Sequence, residues 1–235
     1  VVILDLHNYC RRFMNNEHTL IGNNGLTIED LASFWQAIAK EFSTFKNIYG
    51  YGLMNEPHDL APETKWFDMA QASINAIREV DTNTLIMVGG NDWSSAERWI
   101  EQSDTLKFLK DPANNLAFEA HVYFDKDASG TYKYSYEEEE CYPEKGIDRV
   151  KPFVEWIKQN KFHGFIGEYG IPDNDPRWNE TLDLFLGYLQ ENGINGTYWA
   201  AGPWWDTYFM AITPKDGKDR PQMPIIEKYT STLKK

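Results

Sequence analysis

The chain has 235 residues, enough for one large domain with a sizeable core, and its 36 acidic against 23 basic side chains leave a net charge of −13. Such a surface repels nucleic acid and anionic membranes, so neither is expected as a partner, and the absence of any apolar run of about eighteen residues excludes a spanning helix. Two cysteines, Cys10 and Cys141, lie too far apart for a zinc knuckle and are too few for a disulfide framework, which leaves one bridge as an open question.

Val1-Val2-Ile3-Leu4-Asp5-Leu6-His7 reads as a buried β-strand with no methionine, cap or turn before it, so the chain is expected to begin in the middle of a fold. A polar loop follows from Asn8 to Gly25. Thr27 then caps a helix with Asp30 near the N3 amide, and Leu31, Phe34, Trp35, Ile38, Phe42 and Phe45 form its apolar stripe. Ile48 to Met54 is a strand, and Pro62-Glu63 opens a second helix with Trp66, Met69, Ala70, Ser73, Ile74 and Ile77 inward. Thr84 to Val88 is the next strand, closed by Gly89-Gly90.

Further along, the spacing predicts a short helix at Ser95 to Gln102, a strand at Leu116 to Phe124, a helix at Ile147 to Asn160 and a strand at Gly164 to Tyr169. A helix at Arg177 to Glu191 turns Leu182, Phe185, Leu186 and Leu189 inward. A strand at Gly196 to Ala201 and a closing helix at Pro224 to Leu233 complete the series. The apolar runs of the strands do not alternate with polar residues, as expected where helices cover both faces of a parallel sheet; a curled α/β sheet or barrel of about six β/α units fits best. The acidic stretch Asp125 to Glu144 reads as a solvated surface excursion, with a weak Ca2+ site as the lesser reading. Two matches to the glycosylation sequon, at Asn179 and Asn195, carry little weight because the pattern is common by chance.

In an α/β barrel the active site lies at the C-terminal ends of the strands. Strand by strand those ends carry His7 and Asn8; Asn55 and Glu56; Asn91 and Trp93; His121 and Tyr123; Glu168 and Tyr169; and Trp199, with Trp204 and Trp205 just beyond. Taken singly, each has a plain structural reading: a hydrogen-bonded histidine, a core tryptophan, a glutamate at a helix start. Six such ends on one rim are harder to assign to packing alone. Two glutamates on different strands, Glu56 and Glu168, are what a double-displacement glycosidase needs, with their carboxyl groups about 5 to 5.5 Å apart. Asn55 is placed to bond a sugar 2-hydroxyl, and His121 and Tyr123, on alternate positions of one strand, project to the same side.

The motifs Leu4-Asp5-Leu6-His7-Asn8-Tyr9, Gly52-Leu53-Met54-Asn55-Glu56-Pro57-His58-Asp59, His121-Val122-Tyr123, Gly167-Glu168-Tyr169-Gly170 and Tyr198-Trp199-Ala200-Ala201-Gly202-Pro203-Trp204-Trp205 occur in this order across nearly the whole chain. Together they resemble glycoside hydrolase family 5, in its endo-β-1,4-glucanase (cellulase) branch. The resemblance implies a (β/α)8 TIM-type barrel, here an incomplete one lacking a counterpart of the first two strands, with residues 1–235 forming a single catalytic domain, the C-terminal three quarters of the barrel. It implies a retaining mechanism on β-1,4-glucan, with Glu56 as acid/base and Glu168 as nucleophile. His7, Asn55, His121, Tyr123 and Trp199 would shape the subsite of the reacting sugar, and Trp93, Trp204 and Trp205 would be stacking platforms. The Trp199-Ala200 peptide is a candidate for the family's non-proline cis bond. The arginine that the family places near the nucleophile has no counterpart, since Arg11 and Arg12 stand in a different motif.

No metal and no cofactor is implied. The expected partner is a β-glucan polysaccharide, and a homo-oligomer could form through unpaired barrel edges at residues 1 to 7 and 196 to 201. Secretion follows from an insoluble substrate alone. Three other readings stay open: a mannanase or xylanase of the same fold, a non-catalytic carbohydrate-binding relic, and a metal hydrolase using His7, His121 and Glu168.

Overall fold

Helices and parallel strands alternate along the chain as the apolar spacing requires, in a computed structural model that describes residues 1–230. In chain order the strands are β1 (Val2–Asp5), β2 (Arg11–Met14), β3 (Glu17–Leu20), β4 (Ile48–Gly52), β5 (Leu85–Gly89), β6 (Leu116–His121), β7 (His163–Tyr169) and β8 (Asn195–Tyr198). The helices are α1 (Ile28–Phe42), α2 (Trp66–Arg78), α3 (Asn91–Ser94), α4 (Trp99–Ser103), α5 (Lys145–Asn160), α6 (Arg177–Glu191) and α7 (Met223–Tyr229). Six strands form the main sheet in the order β1-β4-β5-β6-β7-β8, and β2 pairs with β3 in a separate hairpin. The chain divides into two compact units, Val1–Glu119 with Trp156–His163, and Ala120–Glu155 with the chain from Gly164 onward. Strand β6 begins in the first and ends in the second.

In the first unit β1 pairs in parallel with β4, β4 with β5 and β5 with β6, setting Leu4 beside Tyr51, Tyr51 beside Ile86 and Val88 beside Phe118. Tyr51, Ile86, Met87, Val88 and Phe118 are buried, which is why their strands lack a polar face. Helix α1 starts with the expected capping box, the Thr27 hydroxyl accepting from the Asp30 amide and the Asp30 carboxylate accepting from the Thr27 amide. Its stripe is narrower than expected: Leu31, Trp35 and Ala39 are buried, whereas Phe34 and Phe45 are exposed. Helix α2 buries all six expected residues but begins at Trp66 rather than at Pro62. The expected helix at Ser95 to Gln102 is replaced by two short ones, α3 and α4, and inside α3 Asp92 and Trp93 take positive φ.

Buried Asp81 organises the turn after α2. It accepts from the amides of Asn83 and Thr84, the Thr84 hydroxyl at 2.6 Å and the Tyr51 hydroxyl at 2.9 Å. Burial pushes the Tyr51 phenol up to about 12, so it stays a donor. Tyr51→Phe is expected to cost about 1.5 kcal/mol, the low end for a bond to a charged acceptor because three donors remain, read as a lower urea midpoint at unchanged slope.

The polar loop of residues 8 to 25 contains the hairpin β2–β3. Asn15 and Asn16, both at positive φ, make its two-residue turn, and the rings of Phe13 and His18 meet across it at 5.3 Å. The Asn-Asn pair was the available signal; no alternating apolar pattern accompanied it.

In the second unit β7 pairs in parallel with β8, and the Val122 amide, just past β6, donates to the Glu168 carbonyl of β7 at 2.9 Å. Helix α6 has the expected bounds and buries Leu182, Phe185, Leu186 and Leu189. Of the expected closing helix, Met223–Tyr229 is helical, and residues 231 to 233 lie outside the described residues.

The acidic stretch after β6 is exposed along much of its length, as expected, but two of its carboxylates are turned inward. Asp125 and Glu139 are buried as acceptors for its own backbone: Asp125 for the amides of Gly130, Thr131 and Tyr132, Glu139 for those of Lys126 and Tyr134. Buried Lys145 donates to the carbonyls of Glu139 and Glu140. Glu137, Glu138 and Glu140 of the charge run face solvent, in line with the expectation. Cys10 and Cys141 are both free thiols, and burial pushes the Cys10 thiol up to about 12, far from reactive.

Candidate active site

The first unit sets a carboxylate, an amide and a histidine at the ends of β1 and β4. Past β4 the chain stays in register: the Leu53 amide donates to the Met87 carbonyl and the Asn55 amide to the Leu6 carbonyl, each at 3.0 Å. Asn55 is thereby buried against β1, and its Nδ2 lies 3.2 Å from His7 Nε2. The other His7 nitrogen, Nδ1, lies 3.1 Å from the Asp5 carboxylate, which can only accept. Nδ1–H therefore donates to Asp5, and Nε2 faces the Asn55 amide and the Tyr9 hydroxyl, the latter at 3.1 Å.

Glu56 comes next, half-buried and at φ 45°. A non-glycine residue in this left-handed region needs surrounding structure to hold it, and such positions concentrate at functional sites. Its carbonyl lies 2.8 Å from His58 Nδ1, and the His58 ring stacks on Trp93 at 4.5 Å and 15°. Trp93 is 41% exposed, so one face rests on His58 while part of the indole is open to solvent. Arg11 serves backbone here, donating to the carbonyls of Tyr9 and His58.

The second unit gathers His121, Tyr123 and Glu168. Glu168 is 8% exposed, and its Oε2 accepts from the Tyr123 hydroxyl at 2.7 Å and lies 3.6 Å from His121 Nδ1. As expected from their alternate positions, His121 and Tyr123 reach the same carboxylate. Just past β8 the Trp199 amide donates to the Tyr169 carbonyl, the Trp199-Ala200 peptide is cis, and the Trp199 ring packs edge-on against Trp205 at 4.8 Å. Trp205 packs in turn on Tyr208, whose phenol burial pushes up. Trp204 is 89% exposed, the most open large aromatic of the site. Among these neighbours, Asp5, Tyr9, His58 and Tyr208 were not singled out from sequence. Asp5, His7 and Tyr9 are spaced by two residues, the period of a strand, which was the one signal available for the first two.

The Cellulase (glycosyl hydrolase family 5) profile matches residues 1–204. The chain belongs to glycosyl hydrolase family 5. Among curated members of the family, endo-beta-1,4-glucanase B of Emericella nidulans is 36% identical over 193 residues, which are 80% of this chain and 56% of that protein. Endo-beta-1,4-glucanase B of Aspergillus niger is 33% identical over 232 residues, 97% of this chain and 65% of that protein. The chain thus spans between half and two thirds of the length of these family 5 relatives. A crystal structure of Pseudomonas stutzeri endoglucanase Cel5A in complex with cellobiose superposes with a TM-score of 0.87 at 43% identity, covering 97% of this chain and 67% of that one. The fold is accordingly that of the family's TIM-type barrel, present in this chain as an incomplete barrel of six parallel strands and their helices.

Proposed function

We propose that this family 5 chain carries the catalytic machinery of a retaining endo-β-1,4-glucanase, with Glu168 as nucleophile and Glu56 as acid/base. The observation that carries the reading is the environment of Glu168: a buried strand-end carboxylate with one oxygen fixed by a phenol O–H and flanked by an imidazole. A carboxylate held in one orientation is placed to attack an anomeric carbon, and orienting it beforehand lowers the barrier to attack. Glu56 sits at the end of a strand on its own unusual backbone conformation, where a proton donor to the leaving sugar is expected. Attack by Glu168 would displace the leaving sugar as Glu56 protonates its oxygen; Glu56 would then deprotonate a water that releases the glycosyl group from Glu168. His7, Asn55 and Trp199 would shape the subsite of the reacting sugar, and Trp93, Trp204 and Trp205 would stack on neighbouring rings. The names of the relatives support β-1,4-glucan as substrate, and an insoluble polymer places the enzyme outside the cell.

Incubation with soluble cellulose is expected to release new reducing ends, and to do so equally in the presence of a chelator. Cleavage of mannan or xylan in place of glucan would transfer the same chemistry to another β-glycan. Retention on cellulose with no reducing ends released would overturn the enzymatic reading in favour of a binding role.

A further inference from the structure

The turn of residues 129 to 132 packs on Tyr123 and bonds to the backbone two residues beyond Glu168. Gly130, at φ +73°, lies flat on the Tyr123 ring, so closely that a Cβ at Gly130 would stand 2.9 Å from Tyr123 Cδ1 and 3.0 Å from Cε1 and Cγ. The Tyr132 hydroxyl accepts from the Phe124 amide at 2.9 Å and donates to the Gly170 carbonyl at 2.6 Å. It thereby ties the residue after Tyr123 to the residue two beyond Glu168. Full burial pushes the Tyr132 phenol far above its ordinary range, so the donor persists at any working pH. The turn itself is wound around Asp125, 1% exposed, whose two oxygens take the amides of Gly130, Thr131 and Tyr132 at 3.0 to 3.2 Å and the Ser129 hydroxyl at 3.1 Å. From the other side Arg149 donates to the Tyr123 and Lys126 carbonyls.

We propose that Asp125, Gly130 and Tyr132 are positioning residues for the nucleophile, acting through Tyr123: the carboxylate folds the turn, the glycine seats the phenol ring, and the tyrosine holds β7 at the matching height. The proposal rests on the reading of Glu168 as nucleophile. All three are buried. A displaced ring carries its hydroxyl with it and stretches or bends the bond to the carboxylate, because a phenol has no flexible stem with which to compensate.

The test is a double-mutant cycle on soluble cellulose between Gly130→Ala and Tyr123→Phe, with folding of each variant checked by thermal melting. Each single variant is expected to lower kcat about tenfold with KM unchanged within about twofold, and the double variant to be no slower than Tyr123→Phe alone. A glycine with a merely structural role would instead give losses that multiply, and that outcome overturns the proposal. If Gly130→Ala does not fold, the same cycle is run with Tyr132→Phe, which keeps the ring and removes only the hydroxyl; multiplying losses there overturn it equally. Full activity in Glu168→Gln would overturn the nucleophile reading itself and the positioning role with it. An inactive Glu168→Gln together with multiplying losses in the cycle removes the positioning role alone.

Discussion

Glu168→Gln is expected to lose on the order of 10⁴-fold or more in kcat on cellulose, and Glu56→Gln about 10² to 10⁴-fold, with different dependence on the leaving group. The asymmetry follows from the chemistry assigned to each. An amide at 168 cannot form the glycosyl ester, so no choice of substrate restores turnover. An amide at 56 cannot protonate a departing sugar, but a phenol with strong electron-withdrawing substituents departs as an anion and needs no proton. On such an activated aryl cellobioside the first half-reaction of Glu56→Gln should run near the wild-type rate, giving a burst of phenol followed by a slow steady state as unassisted water clears the ester. Glu168→Gln should show neither burst nor steady release. A burst in Glu168→Gln and none in Glu56→Gln would exchange the two assignments. Equal, substrate-independent losses in both would argue that each carboxylate is structural. Gln keeps the size and one acceptor oxygen of each side chain, and circular dichroism of the variants is therefore expected to match wild type.

What could be read from the sequence follows from the range of the forces involved. Helix α6 came out with its expected bounds because its apolar repeat at three- and four-residue steps needs no distant partner to be seen. The cap of α1 was visible for the same reason: Thr27 and Asp30 interact with each other's backbone. The strand-end positions of Asn55, His121, Tyr123 and Glu168 were legible once the strands were, since a strand fixes which residue emerges at its end. Tyr123 and Glu168 do meet, 45 residues apart in the chain. Hidden from sequence were features decided by backbone groups that no side-chain pattern records. Glu139 lies within a run of four glutamates, and nothing local marks it as the one turned inward to take the amides of Lys126 and Tyr134. The same holds for Asp125, read as part of a solvated charge run though it is among the most buried carboxylates of the chain. Charge density there signals solvation on average, but a loop that must satisfy its own amides away from water uses a carboxylate as the acceptor. Likewise His58 was a bystander in Glu56-Pro57-His58 until its ring was found stacked on Trp93.

The largest expected effect on stability falls at Arg78, the last residue of α2. Its five N–H groups all have partners: Nε and Nη2 grip the two oxygens of Asp111 at 2.8 and 3.0 Å, Nη1 reaches the carbonyls of Asp81 and Thr84, and Nη2 also reaches that of Asn115. Both side chains are buried, at 2% and 1% exposure. One guanidinium thus joins the end of α2, the turn leading into β5 and the loop leading into β6, a geometry lysine cannot reproduce. Arg78→Met keeps most of the apolar stem and removes every one of these donors, leaving the Asp111 charge buried; a loss of about 3 to 5 kcal/mol is expected, a large part of a domain's whole stability. The pH dependence identifies the cause. Burial pushes the Asp111 carboxyl up, but the bonds from Arg78 and from the amides of Asn115 and Ala113 outweigh it and hold it below the ordinary value of 3.8. A carboxylate whose folded pKa is depressed contributes stability that is fully present above that ordinary value and is lost as pH falls through the folded one. The gap between wild type and Arg78→Met in urea unfolding should therefore be widest near pH 7 and narrow below about pH 4, where a protonated Asp111 no longer needs the guanidinium. A gap that stays constant with pH would assign the loss to the three carbonyls and the packing of the stem. Arg78→Met combined with Asp111→Leu, which removes the stranded charge as well, should recover part of the loss at pH 7, because a buried pair costs desolvation that an apolar pair does not.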